Sequence, residues 1–572
     1  MKTITSFFFQ LPFIALAILL FTNYRDSLSQ NVIWAKQMGG ISDDIGNTIV
    51  ADGTGNVYTT GSFAGTADFD PGEGVYNLSA VGQQDIFITK LDASGNLVWA
   101  KQIGGFSDDV SYSMAVDACG YVYITGSFAG MADFNPDAGV FNLTSAGLQD
   151  IFIAKFNASG NFIWAKRIGE SSVNIGTSIA LDNSGYIYTT GVFWDKADFD
   201  PGVGTNYLTS AGTQDIFIAK FDTAGNFLWA RQMGGASDDV IYSMALDGSG
   251  NLFTTGSFQD VVDFDPGDDA FNLTSYGNRD VFVSKLDNLG NLIWIKQIGG
   301  DASDEGVSLA VDMHGNVYVT GGFYGTVDFD PGPQIFNLSS VGFQDIFILK
   351  LDADADFIWA KQIGGASSSG SCSIIVDFFS NVYTTGFFAG TISFDSEIST
   401  PKLTSEGGMD IYISKIDGSG NLEWIKQIGG ASDDGGNSLT MDGFGNIYAI
   451  AGGQETINFT GEKNSFNISS VGYSDVLIMK LSQSAPSLSN QIDTACNNNI
   501  LFPNPSSGNF MVKHSLGTDA IFKMFDMLGK EVKCSVVKSA DRFEVETTAA
   551  AGIYIVSLQK ESLKVIKRLE IY

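Results

Sequence analysis

The 572-residue sequence is poor in histidine, basic residues and proline, and each shortage excludes a class of protein. Two histidines, His314 and His514, leave almost nothing for Ser-His-Asp catalysis or a histidine-ligated metal. Lys and Arg total 31 against 64 Asp and Glu, and the net charge of −33 argues against nucleic acid or anionic lipid as a partner. With 11 Pro and 67 Gly, the chain is neither collagen-like nor disordered, and many tight turns are expected instead.

Cysteine is also scarce, which excludes a dense disulfide framework. Of the four cysteines, Cys119 and Cys372 lie far apart in the repeats described below, and we expect both to be unpaired. Cys496 and Cys534 flank the start of the C-terminal segment and could form one disulfide.

Long apolar runs are absent except at the N-terminus. Residues 7–21 are apolar, follow Lys2 and precede Ser27-Leu28-Ser29, a small-x-small pattern typical of a signal-peptidase site. The alternative is a membrane anchor, but the run is shorter than the roughly 20 residues of a span and contains Gln10 and Pro12. We therefore predict a signal peptide over residues 1–29 and no transmembrane segment.

The strongest signal is an internal repeat of 65 residues. Tryptophan recurs at this spacing seven times, and so does an aspartate that opens an apolar strand pattern. The residues are Trp34, Trp99, Trp164, Trp229, Trp294, Trp359 and Trp424, with Asp85, Asp150, Asp215, Asp280, Asp345, Asp410 and Asp475. Such regular self-similarity indicates one supersecondary unit that is copied and stacked.

Each period predicts four strands and no helix. In the first complete period these are strand a at residues 47–52, b at 56–63, c at 85–91 and d at 96–103. Four antiparallel strands make a propeller blade. The array begins with an orphan strand d at 31–38 and stops after an orphan strand c at 475–481, so the first strand can complete the last blade. The predicted fold is all-β, a closed seven-bladed β-propeller over residues 31–481.

Two repeated features have structural explanations. Asp-x-x-Gly, as in Asp52 to Gly55, predicts hairpin turns in which Asp accepts a backbone N–H and Gly takes a positive φ. His314 and Cys119 occupy variable positions of such turns and receive no role. The periodic Trp is interpreted as a wedge between blades rather than a ligand platform, whereas Trp194, outside the period, is a candidate contact residue.

The two ends of the blades differ in chemistry. The d–a loops carry Ser-Asp-Asp or a variant, and the b–c connections are inserts of about twenty residues that carry Asp-Phe-Asp-Pro-Gly. Blades six and seven lack the insert motif, so we expect one acidic face with a gap. Carboxylates two residues apart suit Ca²⁺, whereas the alternative, which we favour, is a hairpin turn whose Asp residues bond to turn N–H groups. The Ca²⁺ candidates are Asp68, Asp70, Asp198, Asp200, Asp263, Asp265, Asp328 and Asp330.

Residues 31–481 resemble the β-propeller repeats of secreted bacterial proteins known as SBBP repeats. The resemblance rests on Leu91 to Gly105, Val57 to Ser62 and the Asp85-Ile-Phe-Ile pattern. The same residues are similar, less closely, to the tryptophan-docking motif of quinoprotein dehydrogenases. Because no adjacent cysteine pair or quinone site is found, an enzyme of that class is disfavoured.

Residues 482–499 are rich in Ser, Asn and Gln and predict a linker. The following tail, residues 500–572, has ten basic and eight acidic residues and resembles the type A C-terminal sorting domain of the Bacteroidetes type IX secretion system. The resemblance implies a small β-sandwich that the outer-membrane translocon recognises; a generic β-sandwich that binds a ligand is the alternative. The matching motif residues are Pro503, Asn504, Pro505, Gly508, Gly529, Gly552, Tyr554 and Lys567.

The sequence thus favours an exported, non-enzymatic binding module, secreted or held at the outer cell surface. Its ligand is an unidentified glycan or protein, and no cofactor, catalytic residue or nucleic-acid partner is assigned. The alternative is a glycoside hydrolase or lyase that uses carboxylates of the long-loop face. Against an enzyme, the repeats that depart from the pattern, at residues 170–173 and 367–370, lose carboxylates rather than gain unusual side chains.

Overall fold

The computed structural model describes residues 32–267, 269–395, 401–459 and 466–482, together with parts of the tail between residues 501 and 571. The predicted signal peptide and residues 483–499 of the predicted linker lie outside the described residues. Within the described residues every regular element is a β-strand. The prediction of an all-β chain is therefore confirmed for this part of the protein.

The repeats fold into units of four antiparallel strands, and the described residues contain seven such units. Strand a spans Asp44–Ala51, Asp109–Val116, Asn174–Leu181, Val240–Leu246, Glu305–Val311, Ser369–Val376 and Gly435–Met441. Strand b spans Val57–Phe63, Val122–Phe128, Ile187–Phe193, Leu252–Phe258, Val317–Phe323, Val382–Phe394 and Ile447–Phe459. Strand c spans Asp85–Leu91, Asp150–Phe156, Asp215–Phe221, Asp280–Leu286, Asp345–Leu351, Lys402–Ile416 and Phe466–Leu481. Strand d spans Leu97–Gly105, Phe162–Ile168, Phe227–Gly235, Leu292–Gly300, Phe357–Gly365 and Leu422–Gly430 in units 1 to 6.

The seventh strand d comes from the other end of the chain. Val32–Gly40 pairs antiparallel with strand c of unit 7, with Trp34 opposite Lys480 and Met38 opposite Val476. This is the pairing that the orphan strands predicted. An edge that would otherwise expose unpaired backbone groups is covered in this way.

The hydrophobic core lies between consecutive units. One cluster joins Ile86 and Ile88 of unit 1 to Met114 and Phe128 of unit 2, and all four side chains are buried. The cluster between units 7 and 1 has the same form and includes Met38 from the N-terminal strand. Burial of apolar area between units is therefore continued across the junction of the first and last strands of the repeat array.

The b–c inserts form short hairpins in units 1 to 5. Their strands are Thr66–Asp68 with Asn77–Ser79, Met131–Asp133 with Asn142–Thr144, Lys196–Asp198 with Tyr207–Thr209, Val261–Asp263 with Asn272–Thr274, and Thr326–Asp328 with Asn337–Ser339. The hairpin of unit 2 pairs with strand d of unit 1, where Ala132 lies opposite Gly105. The hairpin of unit 1 pairs in the same way with Val32–Gly40. The hairpins of units 1, 2, 4 and 5 thus extend the sheet of the preceding unit, which the sequence did not predict, whereas the hairpin of unit 3 forms a separate two-stranded sheet.

The observed strand limits of unit 1 differ from the predicted ones by one to three residues, and the two largest differences have a structural cause. Strand a of unit 1 begins at Asp44 rather than at residue 47, because pairing with strand b continues past a bulge between Gly46 and Thr48. Strand d continues to Gly105 rather than ending at residue 103, because it pairs with the next hairpin. A Cβ at Gly105 would lie 2.0 Å from the carbonyl oxygen of Met131, so only glycine allows this approach.

The turn and tryptophan interpretations are confirmed. Asp52 Oδ1 accepts the backbone N–H groups of Thr54 and Asn56 at 2.9 and 3.0 Å, and Gly55 has a φ of 87°. Trp99 packs against Tyr58 of its own unit, while its Nε1–H donates to the Ala158 carbonyl of the next unit at 3.2 Å. The periodic tryptophans therefore connect neighbouring units.

The described parts of the tail form two antiparallel sheets. Leu501–Phe502, Asn509–Lys513, Arg542–Glu546 and Ser535–Lys538 form one sheet, and Ile521–Asp526, Gly552–Lys560 and Leu563–Ile571 form the other. Cys496 lies outside the described residues, so its pairing with Cys534 stays a prediction. Cys119 and Cys372 form no disulfide within the described residues. Among these residues, no helix has the length and apolar character of a membrane span.

Candidate ligand-binding face

The b–c inserts and the d–a loops lie at the same end of the units. Strand d of unit 1 ends at Gly105, immediately before the d–a loop, and there it pairs with the insert hairpin of unit 2. We call this end, formed by the d–a loops and the b–c inserts, the loop face. The prediction that the inserts and d–a loops share one side is confirmed for units in which this pairing is described.

The Asp-Phe-Asp-Pro-Gly segments form the tips of the insert hairpins. Asp68 Oδ1 accepts the backbone N–H groups of Asp70 and Tyr76 at 3.0 and 2.8 Å, and Asp70 Oδ1 accepts that of Gly72 at 2.8 Å. Phe69 is fully buried, with Phe63 and Phe87 at ring-centroid distances of 5.2 and 5.0 Å. The remaining candidates, Asp198, Asp200, Asp263, Asp265, Asp328 and Asp330, make the same turn contacts.

The structure keeps the candidate Ca²⁺ ligands in separate hairpins. Within the described residues, no group of three or more His, Cys, Asp or Glu side chains is arranged to hold a metal ion. Ca²⁺ normally takes six to eight oxygen ligands. Calcium binding at these positions stays a prediction, and the hydrogen bonds agree with the turn interpretation.

A calcium titration separates these two interpretations. Because Asp68 and its equivalents already accept turn N–H groups, we expect millimolar Ca²⁺ to leave the melting temperature of the protein unchanged and to produce no binding heat. Asp68→Asn should weaken the turn by about 1 kcal/mol with or without Ca²⁺. A Ca²⁺-dependent rise in melting temperature that Asp68→Asn reduces would establish the metal site instead.

The Ser-Asp-Asp loops present fewer carboxylates at the surface than the sequence predicted. Where two Asp are consecutive, the first, such as Asp43 or Asp108, is exposed or half-buried and the second is buried; in Ser303-Asp304-Glu305 it is the single Asp that is buried. These buried residues are Asp44, Asp109, Asp239, Asp304 and Asp434. They lie at the start of strand a or immediately before it, and each carboxylate accepts the N–H of the glycine that ends the preceding strand d, so they belong to the interior and not to the acidic face.

A cleft of about 420 Å³ opens on the loop face where units 7, 1 and 2 meet. It is lined by two carboxylates, a hydroxyl, two amides and an exposed tyrosine ring. The lining residues are Ser42, Asp43, Ala64, Gln83, Gln84, Asp108 and Tyr473. The ring of Tyr473 is 73% exposed and makes an apolar wall beside polar groups. This combination of one stacking surface and several hydrogen-bonding groups is typical of a site for a polar small molecule or sugar.

One repeat position on this face carries a different residue in every unit. Two residues before the periodic Asp, the chain has Gln83, Leu148, Thr213, Asn278, Phe343, Gly408 and Tyr473. Leu148, Phe343 and Tyr473 are each more than 70% exposed. Trp194, which was predicted as a contact residue, is half-buried. It occupies the same position in its repeat as Ala64, which lines the cleft. The residue type therefore differs between the seven units at this solvent-facing position, whereas the periodic Asp two residues later is the same in all of them.

The sorting-motif residues are only partly described. Pro503, Asn504, Pro505, Gly508 and Gly529 lie outside the described residues. Gly552 and Tyr554 lie on one strand opposite Ile571 and Leu569, and Lys567 lies opposite Val556. The described motif residues therefore occupy paired strands of one tail sheet.

Comparison with protein families agrees with both parts of this description. A secretion system C-terminal sorting domain matches residues 500–572. The SBBP β-propeller repeat matches residues 33–62, 163–192, 228–257, 293–321 and 423–451. The chain carries SBBP propeller repeats and a secretion-system sorting domain. The sorting domain of this chain indicates handling by the type IX secretion machinery and export to the cell surface or the extracellular space.

The chain is also similar to two curated proteins. It is 25% identical over 488 residues to an uncharacterised WD repeat-containing protein of Acanthamoeba polyphaga mimivirus. This match covers 69% of this chain and 34% of the viral protein. It is 27% identical over 172 residues to the regulatory protein FlaEY of Caulobacter vibrioides, covering 29% of this chain and 18% of that protein. The chain thus spans about a third or less of the length of these relatives.

Among solved structures, this chain is similar to a fungal alcohol oxidase in complex with copper. The match covers 95% of this chain and 100% of the oxidase chain. The TM-score is 0.42 and the sequence identity 12%. So low a score transfers neither copper binding nor oxidase chemistry to this chain.

Proposed function

We propose that the protein is an exported, closed seven-bladed β-propeller that acts as a non-enzymatic glycan-binding module. Each four-stranded unit is one blade, and the tail is a β-sandwich read by the type IX translocon. The observation that carries the binding role is the cleft on the loop face, in which Tyr473 stands beside Asp43, Asp108 and Gln84.

Ring closure is supported by the strand order. The seventh unit takes its strand d from Val32–Gly40, and the same strand receives the insert hairpin of unit 1. A ring with this connection leaves no open sheet edge between its first and last units. The cleft depends on closure, because Tyr473 belongs to unit 7 while Gln83 and Asp108 belong to unit 1 and its following loop.

A glycan is the ligand class that this cleft suits best. Sugars present an apolar ring face, which an exposed tyrosine can cover, and hydroxyl groups, which carboxylate and amide side chains can bind. The net charge of −33 disfavours anionic polysaccharides and favours neutral or amino sugars.

A glycan-array screen of the full-length exported protein tests the proposal. We expect binding to neutral or amino-sugar glycans, and we expect Tyr473→Ala to weaken it about tenfold or more, roughly 1.4 kcal/mol, because the stacking surface is lost. Phe379→Ala is the matched control, since Phe379 is a 58% exposed aromatic residue in an a–b turn at the opposite end of its unit. Equal loss in both variants, or no binding at all, would contradict the proposed site.

The polysaccharide-active enzyme is tested in the same material. Reducing-end release from each glycan that binds should stay at background if the protein only binds. Release that Asp43→Asn or Asp108→Asn abolishes would replace the binding module with a hydrolase or lyase whose carboxylates act as acid and base.

A further inference from the structure

Pairs of buried aspartates lie at the junctions between consecutive units. The periodic Asp of strand c in one unit stands beside the Asp at the start of strand a, or immediately before it, in the next unit. Five junctions have this pair, namely Asp475 with Asp44, Asp85 with Asp109, Asp215 with Asp239, Asp280 with Asp304, and Asp410 with Asp434. All ten side chains are at most 1% exposed.

The hydrogen bonds of each pair leave at least one oxygen without a donor, and in the Asp475–Asp44 pair Oδ1 of Asp44 has none either. In the first junction, Asp85 Oδ2 accepts Val81 N–H and Gln102 Nε2–H at 3.0 and 2.6 Å, and Asp109 accepts Gly105 N–H and Ala129 N–H. Asp85 Oδ1 has no hydrogen-bond partner among the described residues, and the same holds for Oδ1 of Asp215, Asp280, Asp410 and Asp475. A buried carboxylate oxygen without a donor is costly, so a proton between the two carboxyls is expected.

At the junction of units 7 and 1, one oxygen of each Asp lies near the same point. A Cβ added to Gly39 would lie 2.5 Å from Asp475 Oδ1 and 3.0 Å from Asp44 Oδ2. The orphan oxygen of Asp475 and an oxygen of Asp44 therefore line one shared space at this junction.

In the two junctions that lack a pair, a hydrogen-bond donor reaches Oδ1 of the strand-c Asp. At one of them Asn174 replaces the strand-a Asp, and its Nδ2 lies 3.4 Å from Asp150 Oδ1. The Gln that contacts the strand-c Asp elsewhere is there Arg167, which pairs with Asp150 at 2.7 Å. Where Ser369 replaces the Asp, Gly365 N–H turns to Asp345 Oδ1 at 3.3 Å. In both junctions a donor reaches the oxygen that is an orphan in the five pairs.

We infer that each of the five aspartate pairs shares one proton, which forms a carboxyl–carboxylate hydrogen bond between neighbouring units of the ring. The proton gives the orphan Oδ1 its missing bond and leaves each pair with one negative charge. A divalent cation is a poorer occupant, because the polar groups that surround the first pair, from Val81, Gln102, Gly105 and Ala129, are all N–H donors.

The charged side chains that face the pairs are acidic. Within the described residues, none of them is a cation that would neutralise a pair. Besides its partner, each strand-a Asp is faced by an acidic neighbour, which is Asp43, Asp108, Asp238, Glu305 or Asp433, and Asp410 is also faced by Glu406. Arg279, next to one pair, binds Asp238 and Glu305 at 3.3 and 3.7 Å. The residue on strand d that contacts the pair is a neutral glutamine in all five junctions.

The sign of the pH dependence follows from burial. Burial raises the pKa of Asp44, Asp109, Asp239, Asp304 and Asp434 from 3.8 to about 7, and the charge of the partner Asp acts in the same direction. The folded protein therefore binds more protons than the unfolded chain between pH 4 and 7. The contribution of these protons to the stability of the folded protein is therefore fully present near pH 4 and below. This contribution is lost as the pH rises through about 7.

The test measures proton uptake on folding of the full-length protein from the pH dependence of its urea unfolding. We expect the folded state to bind about five additional protons near pH 5 to 6, one for each pair. Asp109→Asn, which copies the natural Asn174 junction, should remove about one of them, and the variant with all five strand-a aspartates changed to Asn should remove nearly all. Asp108→Asn, the same change one residue away on a side chain in contact with water, should remove much less than one, because it takes away only a neighbouring charge and leaves the pair itself intact.

A second measurement does not depend on the variants folding. The infrared band of protonated carboxyl groups should be present in the folded wild-type protein at pH 6 and disappear on unfolding. Its absence, or equal proton uptake by wild type and the fivefold variant, would overturn the inference. So would a Ca²⁺-dependent stabilisation at pH 8 that the fivefold variant loses, because the pairs would then hold a cation.

Discussion

Removal of residues 32–40 is expected to unfold the whole propeller cooperatively. This strand pairs with Phe466–Leu481 of unit 7 and with the insert hairpin of unit 1, so its loss breaks two sheet connections at once. It also removes Met38 from the core cluster between units 7 and 1. We expect a loss of roughly 5 kcal/mol or more, which is comparable to the total stability of many domains.

Two single substitutions on the same strand sharpen this prediction. Met38 is 1% exposed, whereas Ile33 is 51% exposed. Met38→Asp should lower the free energy of unfolding by about 4 kcal/mol or more, because it removes a core side chain and buries a carboxylate. Ile33→Asp should change it by less than about 1 kcal/mol. Circular dichroism melts with size-exclusion profiles measure both, and equal melting curves for wild type, Met38→Asp and the deletion would contradict ring closure.

Deletion of residues 500–572 is expected to abolish delivery outside the cell. The match to the sorting domain covers the whole deleted segment, so the truncated protein should lose recognition by the type IX translocon and accumulate in the periplasm. Cell fractionation and protease accessibility of intact cells, in a bacterium that uses this system, measure the distribution. The matched control deletes residues 485–495 of the linker and keeps the tail.

Each outcome of this experiment is informative. Surface display of the truncated protein would refute the sorting assignment. Retention of the linker variant as well would show that the cells fail to export the shortened chain for a reason other than the missing tail. We expect the linker variant to reach the surface and the truncated protein to remain inside the cell envelope.

The sequence predicted the repeating strands well because their signal is local. Strand c was predicted at its observed limits, Asp85–Leu91, since its apolar pattern and leading Asp lie within seven consecutive residues. The N-terminal partner of unit 7 was also predictable, because the count of strands left one orphan at each end. Strand a was predicted three residues short, because the bulge after Gly46 interrupts the alternation on which the prediction rested.

The contacts between units could not be predicted in the same way. Nothing in the insert pattern indicates that its hairpin pairs with the preceding unit, because that pairing depends on how two units stack. The buried Asp109 was grouped with surface acids for the same reason, since its partner Asp85 is 24 residues away in another unit. A usable signal did exist: Asn174 and Arg167 change together in one repeat, which points to a shared contact with Asp150.

The pairing of Val32–Gly40 with the end of the repeat array also determines the order of events during biogenesis. Gln37 and Asp475 are bonded although 438 residues separate them, so this segment is synthesised before nearly the entire array with which it pairs. Until then its backbone is an unsatisfied template for other extended chains. Because contacts between residues so far apart in sequence form slowly, we expect ring closure to be a late step of maturation. A chaperone in the cell envelope that shields the waiting segment would therefore raise the yield of native protein.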